Sequence, residues 1–366
     1  MQKIIKKVLG RSVVSKLHQV KLRFRSFRVS LRFATLRFFA RSEFLARVYY
    51  CFFSKSLGRE ARAVLNGRLQ FRDQSLESTG SEFSFRRGVH RLEKGLSMNP
   101  RRPVFAKLYI MDVVQAFAGR YDSRLREEKR EQMEWAESVL GEYFRVVQAG
   151  QHAKVDMARE LFEATIKAGA DEPISSKKPY RELERRGRRI EYDALRDLVK
   201  WRRSVRWFTE KPVPRDVFEQ AVAIATEAPS ACNRQPFQYR FFDDPALVKK
   251  AASLPPGVRE IADNFASFVV IVGRLEAYSE EKDRHAIYID ASLATMLLLL
   301  ALETLGVSSC CINWPDSEPE ETKMREFLKL KPHERAVMCL AIGYAAEDGM
   351  IPYSGKKPPS DLVVYN

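Results

Sequence analysis

Between residues 22 and 53 the apolar positions Phe24, Phe27, Leu31, Phe38, Leu45, Tyr49 and Phe52 recur at intervals of three, four and seven. Arg25, Arg28, Arg32, Arg37 and Arg41 follow similar spacing on other faces. This periodicity predicts a basic amphipathic helix, a form that can lie on an anionic membrane or along a nucleic-acid backbone. A helix packed on its own protein, with its arginines in water, fits the same pattern. The opening dozen residues also alternate, so an edge strand fits there as well. A polar break at 73–84 follows, then helical patterns at 104–118, 123–149 and 153–168. Residues 171–189, rich in Pro, Lys and Arg, read as a linker.

After residue 190 the rhythm changes. Helices are expected at 192–200 and at 215–227, behind the breakers Pro212 and Pro214. Short apolar runs at 238–242, 268–273, 308–313 and 336–342 predict strands. The stretch 286–305 is apolar on nearly every side, as a buried helix is. Its longest uncharged run, 291–302, is shorter than the roughly 20 residues a membrane span needs. The expected fold is therefore α+β, a mixed sheet flanked by helices, preceded by a mostly helical basic N-terminal region. The division expected is a basic arm at 1–72, a helical region at 85–170 and a domain at 190–366.

Charge sharpens this division. The chain has 366 residues and a formal net charge of +16, and residues 1–72 hold 18 Lys/Arg against only Glu43 and Glu60. The remainder is therefore close to neutral, and the basic character belongs to the arm. Among possible partners of that arm an anionic membrane ranks first and nucleic acid after it. Cys51, Cys232, Cys310, Cys311 and Cys339 form no CxxC and lie near no His-rich spacing. An odd, scattered set argues against a disulfide framework or a zinc site and fits a reducing cytosol. With no uninterrupted apolar core behind the first lysines, a standard secretory signal is not expected. The expected location is cytoplasmic, with peripheral membrane attachment through the arm.

The chemistry is concentrated in two segments. Trp201-Arg202-Arg203-Ser204-Val205-Arg206 packs three guanidiniums and a hydroxyl together. Arginine grips phosphate through paired charge-assisted bonds, and serine adds a donor. Ala228-Pro229-Ser230-Ala231-Cys232-Asn233-Arg234-Gln235-Pro236-Phe237 is a turn rich in amide side chains, which supply both donors and acceptors. Together they suit a ligand with a phosphate at one end and a flat, polar-edged ring at the other, as FMN has. A third feature is His90-Arg91-Leu92-Glu93: one helical turn would bring His90 and Glu93 together, either for proton transfer or as a structural hydrogen bond.

These segments, with Glu303-Thr304-Leu305-Gly306-Val307, Ile342-Gly343-Tyr344 and Lys356-Lys357-Pro358 in order after them, resemble the nitroreductase family of flavoenzymes over residues 192–366. The resemblance implies a non-covalent FMN at the interface of a homodimer, lined by both subunits. It implies that Arg202, Ser204 and Arg206, with Arg203, hold the phosphate and ribityl chain. Asn233 and Gln235 would meet the polar edge of the ring, and Pro229 and Ser230 would reach the flavin of the partner. Cys311, Ile312 and Asn313 would present a backbone amide toward N5, and Lys356 and Lys357 would lie at the phosphate. The run from His90 to Leu96 is similar to an extension of nitroreductase-like proteins from polysaccharide gene clusters.

The activity implied is hydride transfer from NAD(P)H through FMN to a nitro compound, a quinone or a biosynthetic intermediate. The flavin supplies the redox chemistry and the protein its orientation and electrostatics, so no metal and no catalytic side chain is expected. A Gly-rich dinucleotide fingerprint is missing, so NAD(P)H would dock transiently on the flavin. Trp314 stands where small residues are usual in the family and is expected to crowd or shape the substrate side. The competing reading is a scaffold that docks on membrane or polyanion through its arm and keeps a degenerate flavin fold.

Overall fold

A computed structural model describes residues 10–54, 57–77, 80–121, 124–167, 177–181 and 190–366, with side chains from residue 19 onward. It divides into two compact units, Met1–Ala61 and Arg62–Asn366. Apart from 177–181, the expected linker at 171–189 lies outside the described residues.

In the first unit the amphipathic pattern forms α1 (Gly10–Phe39) and α2 (Glu43–Val48), then one π-helical turn at Tyr49–Phe53. The edge strand that residues 22–33 also fitted is not formed, because α1 runs through them. Ser42 separates the two helices because its extended backbone cannot continue the first, and its hydroxyl accepts from Leu45 N at 3.2 Å to cap the second. Phe24, Phe27 and Leu31 are all more than half exposed on α1.

The second unit has a helical layer and an α+β layer. The helical layer comprises α3 (Gly58–Ser75, which starts in the first unit), α4 (Glu82–Leu96), α5 (Ile110–Tyr121), α6 (Leu125–Glu128), α7 (Arg130–Val146) and α8 (Ala153–Lys167). Two expected helices are shorter than their patterns. The one at 104–118 begins only at Ile110, because Ala106 is left-handed at φ 62° and ends any helical run before it. The one at 123–149 is broken at Lys129, whose φ −122°, ψ 36° separates α6 from α7. This layer closes around its own core, with Val89, Leu92, Ile110, Phe117, Leu140 and Tyr143 fully buried.

The α+β layer carries α9 (Tyr192–Trp201), α10 (Arg215–Ala225), β1 (Phe237–Phe242), α11 (Pro245–Ala252), β2 (Ser267–Arg274), α12 (Ala286–Thr304), β3 (Ser308–Asn313), α13 (Glu320–Leu328) and β4 (Glu334–Gly343). The four strands order as β1-β2-β4-β3. The α+β fold expected is the one observed, and among the described residues every strand pair is antiparallel; the one parallel contact there is an isolated bridge, Ser204 with Ser309. Each antiparallel pair shares a register, as in Phe237 opposite Gly273 and Ser308 opposite Gly343.

Alternation then sorts the core. Val270, Val272, Cys339 and Ala341 face α11 and Trp314, whereas Val269, Ile271, Leu340 and Ile342 face α10 and α12. Residues 281–304 are long and apolar enough to cross a membrane, but half of that window is buried within the domain. The outer stripe of α12, Ile289, Leu293 and Met296, is 58%, 45% and 40% exposed. A small fourth cluster (Val64 and Phe83 with Leu275, Tyr278 and Ile287) joins the helical layer to the sheet. Gly67 permits that junction, since a Cβ there would stand 2.8 Å from the Leu275 carbonyl carbon.

Candidate functional site

α9 ends at Trp201, and the chain beyond it runs as an extended segment along the outer edge of β3. Val205 N donates to Ser309 O at 3.0 Å, making the parallel bridge, and Asn264 fixes the next turn by donating to Arg206 O and accepting from Phe208 N. This rail places Arg202, Ser204 and Arg206 beside one strand. Arg202 and Arg206 both draw down the thiol pKa of Cys310, which burial raises. Arg202 also opposes the effect of burial on Glu303, whose carboxyl is pushed up to about 7. Arg203 points elsewhere, donating from Nη1 to Tyr353 O at 3.0 Å and lying 5.8 Å from that ring.

Three polar atoms of this wall are buried without a hydrogen bond among the described residues: Arg202 Nε, Ser309 Oγ and Glu303 Oε1. Buried polar groups are nearly always paired, so the two donors among these, Arg202 Nε and Ser309 Oγ, fit an anionic ligand that completes them, whereas Glu303 Oε1 is an acceptor and calls for a donor. Along β3 the side chains alternate: Cys311 and Asn313 are exposed and Ile312 is buried. Among the described residues the outer edge of β3 carries only the bridge at Ser309, leaving the backbone of 311–313 without a strand partner on that side. Lys356 and Lys357 are exposed, three and four residues beyond the Tyr353 contact with Arg203. Trp314 corrects the expectation that it crowds the substrate side. It is 7% exposed, packs in the core, and donates from Nε1 to Glu321 Oε1 at 2.5 Å.

The amide-rich turn is held against different elements. Cys232, Asn233 and Gln235 have φ of 55°, 53° and 51°, a left-handed backbone that non-glycine residues adopt only when held there. Hydrogen bonds restrain it. Ser230 O accepts from Asn233 N at 2.9 Å, and Ser230 Oγ accepts from Gln235 N at 3.1 Å. Arg86 Nε donates to Asn233 O at 2.8 Å, and Gln235 Nε2 donates to Thr226 O at 2.9 Å. Asp290, on α12, accepts from Ala231 N at 2.9 Å and from the Tyr278 hydroxyl at 3.2 Å. Arg234 lies 4.7 Å over the Tyr278 ring. Burial raises the Asp290 carboxyl, and the Ala231 amide, the phenol and Arg234 pull it back.

Pro229, Ser230, Asn233 and Gln235 line one cavity of about 810 Å³, whose other wall is helical: Arg86 and His90 of α4 with Gln132 and Trp135 of α7. His90 and Glu93 do meet, Nδ1 to Oε2 at 3.1 Å, and Glu93 Oε1 accepts from Trp135 Nε1 at 2.9 Å. The structure thus brings Arg202, Ser204 and Arg206 together at β3, and Pro229, Ser230, Asn233 and Gln235 together at the cavity. The hydrogen bonds of the two groups run to different elements. Asp290, Arg86 and Trp135 were missed in the sequence. Arg86 had a signal, because it precedes His90 by four residues and Glu93 by seven, one helical face. Asp290 had none, being a lone acid inside an apolar run.

Comparison with known proteins agrees with the motif reading of the C-terminal half. The model of the nitroreductase family matches residues 199–267 and 258–344. The iodotyrosine deiodinase 1 of Pongo abelii is 22% identical over 196 residues, 46% of this chain and 67% of that protein. The iodotyrosine deiodinase of Nematostella vectensis is 23% identical over 196 residues, 45% of this chain and 72% of its own. An FMN-dependent nitroreductase from Clostridium difficile R20291 superposes with a TM-score of 0.39 at 23% identity, over 46% of this chain and 97% of the other.

Proposed function

With residues 199–344 as a nitroreductase-family region, we propose that this protein is an FMN-dependent oxidoreductase that passes reducing equivalents from NAD(P)H to a small acceptor such as a quinone or nitro compound. The observation that carries the reading is the wall at β3, where Arg202, Ser204 and Arg206 gather and where Arg202 Nε and Ser309 Oγ have no hydrogen bond among the described residues. In this reading those residues grip the phosphate, with Lys356 and Lys357 adding charge from the tail. Asn233 and Gln235 orient the edge of the ring, and the backbone of 311–313 lies along it. The cofactor, when bound, supplies the hydride chemistry. The chain supplies grip, orientation and a turn pre-shaped by its hydrogen bonds, so little ordering remains to be done on binding.

The phosphate wall and the amide turn are anchored to different parts of one chain. A second copy that brings its turn to the wall of the first would complete the site, and the exposed stripe Ile289, Leu293 and Met296 is an apolar surface for such an interface. We read the active form as a homodimer. Purification tests the reading: a yellow protein with FMN in equal number to chains, bleached by NADH or NADPH without oxygen, supports it. A colourless protein that takes up no FMN favours the scaffold reading instead. In either case the exposed phenylalanines and arginines of α1 fit peripheral attachment to an anionic membrane.

A further inference from the structure

The cavity between the helical layer and the amide turn contains a group that the flavin reading leaves unused. Glu93 has both oxygens occupied, one by Trp135 Nε1 and one by His90 Nδ1. A carboxylate only accepts, so the proton of the 3.1 Å contact sits on Nδ1 and the ring is held as its Nδ1–H form when neutral. Nε2 has no hydrogen bond among the described residues, and His90 lines the same cavity as Ser230 and Asn233 with a quarter of its side chain exposed. A histidine oriented by a carboxylate through one nitrogen, with the other nitrogen free beside a substrate-sized space, has the arrangement of a proton-transfer residue. The charged groups around it are Arg86 on its own helix, Glu131 on α7, Glu227 before the turn, and Lys177, whose ammonium is paired with Glu134 at 2.7 Å. Arg86 also lies 5.4 Å from the Trp135 ring. The wall is polar, with one flat aromatic surface.

We propose that this cavity binds the electron acceptor and that His90 Nε2 protonates it as it is reduced, Glu93 and Trp135 acting as positioning residues. The proposal rests on the flavin reading above. The ligand class is a flat molecule whose double bond ends on oxygen, a quinone or conjugated carbonyl. Two electrons and one hydrogen arrive as hydride from the NAD(P)H-reduced cofactor, and the acceptor's π bond opens toward its oxygen. The O–H bond forms with the proton released from His90 Nε2–H. His90 is left neutral, its Nδ1–H still on Glu93, and regains a proton from water. The balance is one acceptor, one NAD(P)H and one proton to the reduced acceptor and NAD(P)+.

The test compares the FMN-loaded wild type with His90→Gln, using 1,4-naphthoquinone and ferricyanide, a one-electron acceptor that needs no proton, as probes. Loss of general acid–base catalysis typically costs about 10²–10⁴-fold, so naphthoquinone turnover is expected to fall at least tenfold. Ferricyanide turnover, FMN affinity and the rate of flavin bleaching by NAD(P)H stay as in wild type. A second readout needs no cofactor: ¹⁵N NMR of the apo protein should place the neutral His90 proton on Nδ1, and Glu93→Gln should abolish that preference. Equal loss with both acceptors, unchanged naphthoquinone turnover, or an Nε2–H ring overturns the proposal. Failure to bind FMN would overturn the flavin reading itself, which the titration reports separately.

Discussion

Asp290 is the anchor of the amide turn, and its replacement separates hydrogen bonding from charge. The residue is 3% exposed, and one carboxylate oxygen accepts from both Ala231 N and the Tyr278 hydroxyl. Asp290→Ala leaves a buried amide and a buried phenol without an acceptor. A hydrogen bond to a charged group is worth about 1.5–3 kcal/mol. The 2.9 Å amide bond stands within that range, and the 3.2 Å phenol bond falls at its weak end. The expected loss is therefore about 3 kcal/mol. Asp290→Asn keeps an acceptor oxygen for both donors and removes a charge that burial disfavours, so its change should stay within about 1 kcal/mol. Urea denaturation of the apo proteins, followed by intrinsic fluorescence, measures both. FMN titration should rank affinities in the same order, because the turn holding the left-handed residues Cys232, Asn233 and Gln235 loses a tether in the alanine variant only. Equal damage from both variants would mean that charge, not hydrogen bonding, holds the turn. Two variants with wild-type stability would mean that α12 does not hold it at all.

Further outcomes follow from other parts of the chain. Arg202→Ala or Arg206→Ala should weaken FMN binding by roughly tenfold to a hundredfold, and unchanged affinity in both, by titration of apo protein, would remove them from the phosphate site. Glu303 is raised to about 7 by burial, so the folded state holds its proton more tightly than the unfolded state does. Its contribution to stability is therefore greatest at low pH and is lost as pH rises from its unfolded value toward 7. Melting curves of apo Glu303→Gln should decline less than wild type over that window. Ile289→Asp should yield monomer in light scattering with flavin absorbance lost from the same peak; a dimer retaining flavin would clear this stripe of an interface role. Replacing Arg25, Arg28 and Arg32 together with alanine should lower affinity for phosphatidylserine vesicles roughly a hundredfold at low salt and little at high salt. Indifference of the wild type to such vesicles would refute membrane docking.

Much of this molecule was legible one residue at a time. The strands at 308–313 and near 238–242 and 268–273 declare themselves because β-branched, aromatic and cysteine side chains run between breakers. The helix at 286–305 does so because its apolar residues cover every face, although only packing decides which of them are buried and leaves Ile289, Leu293 and Met296 exposed. The uneven charge is a matter of counting, and the grouping of Arg202, Ser204 and Arg206 beside β3 starts from their spacing in the chain, whereas Arg203 turns away to Tyr353. Other features exist only in three dimensions. That the sheet is antiparallel throughout depends on which strands meet, and a strand's own residues do not encode its neighbour. Trp314 is buried because a core had room for an indole beside Glu321, a contact between residues seven apart whose meeting depends on the turn between them. His90 and Glu93 are neighbours by helical spacing alone, yet Trp135, Arg86 and the cavity they share with Asn233 come from segments up to 147 residues apart. Spacing along a helix is a local property and can be read from the chain. A site made by packing one layer on another depends on long-range contacts, and folding alone decides it.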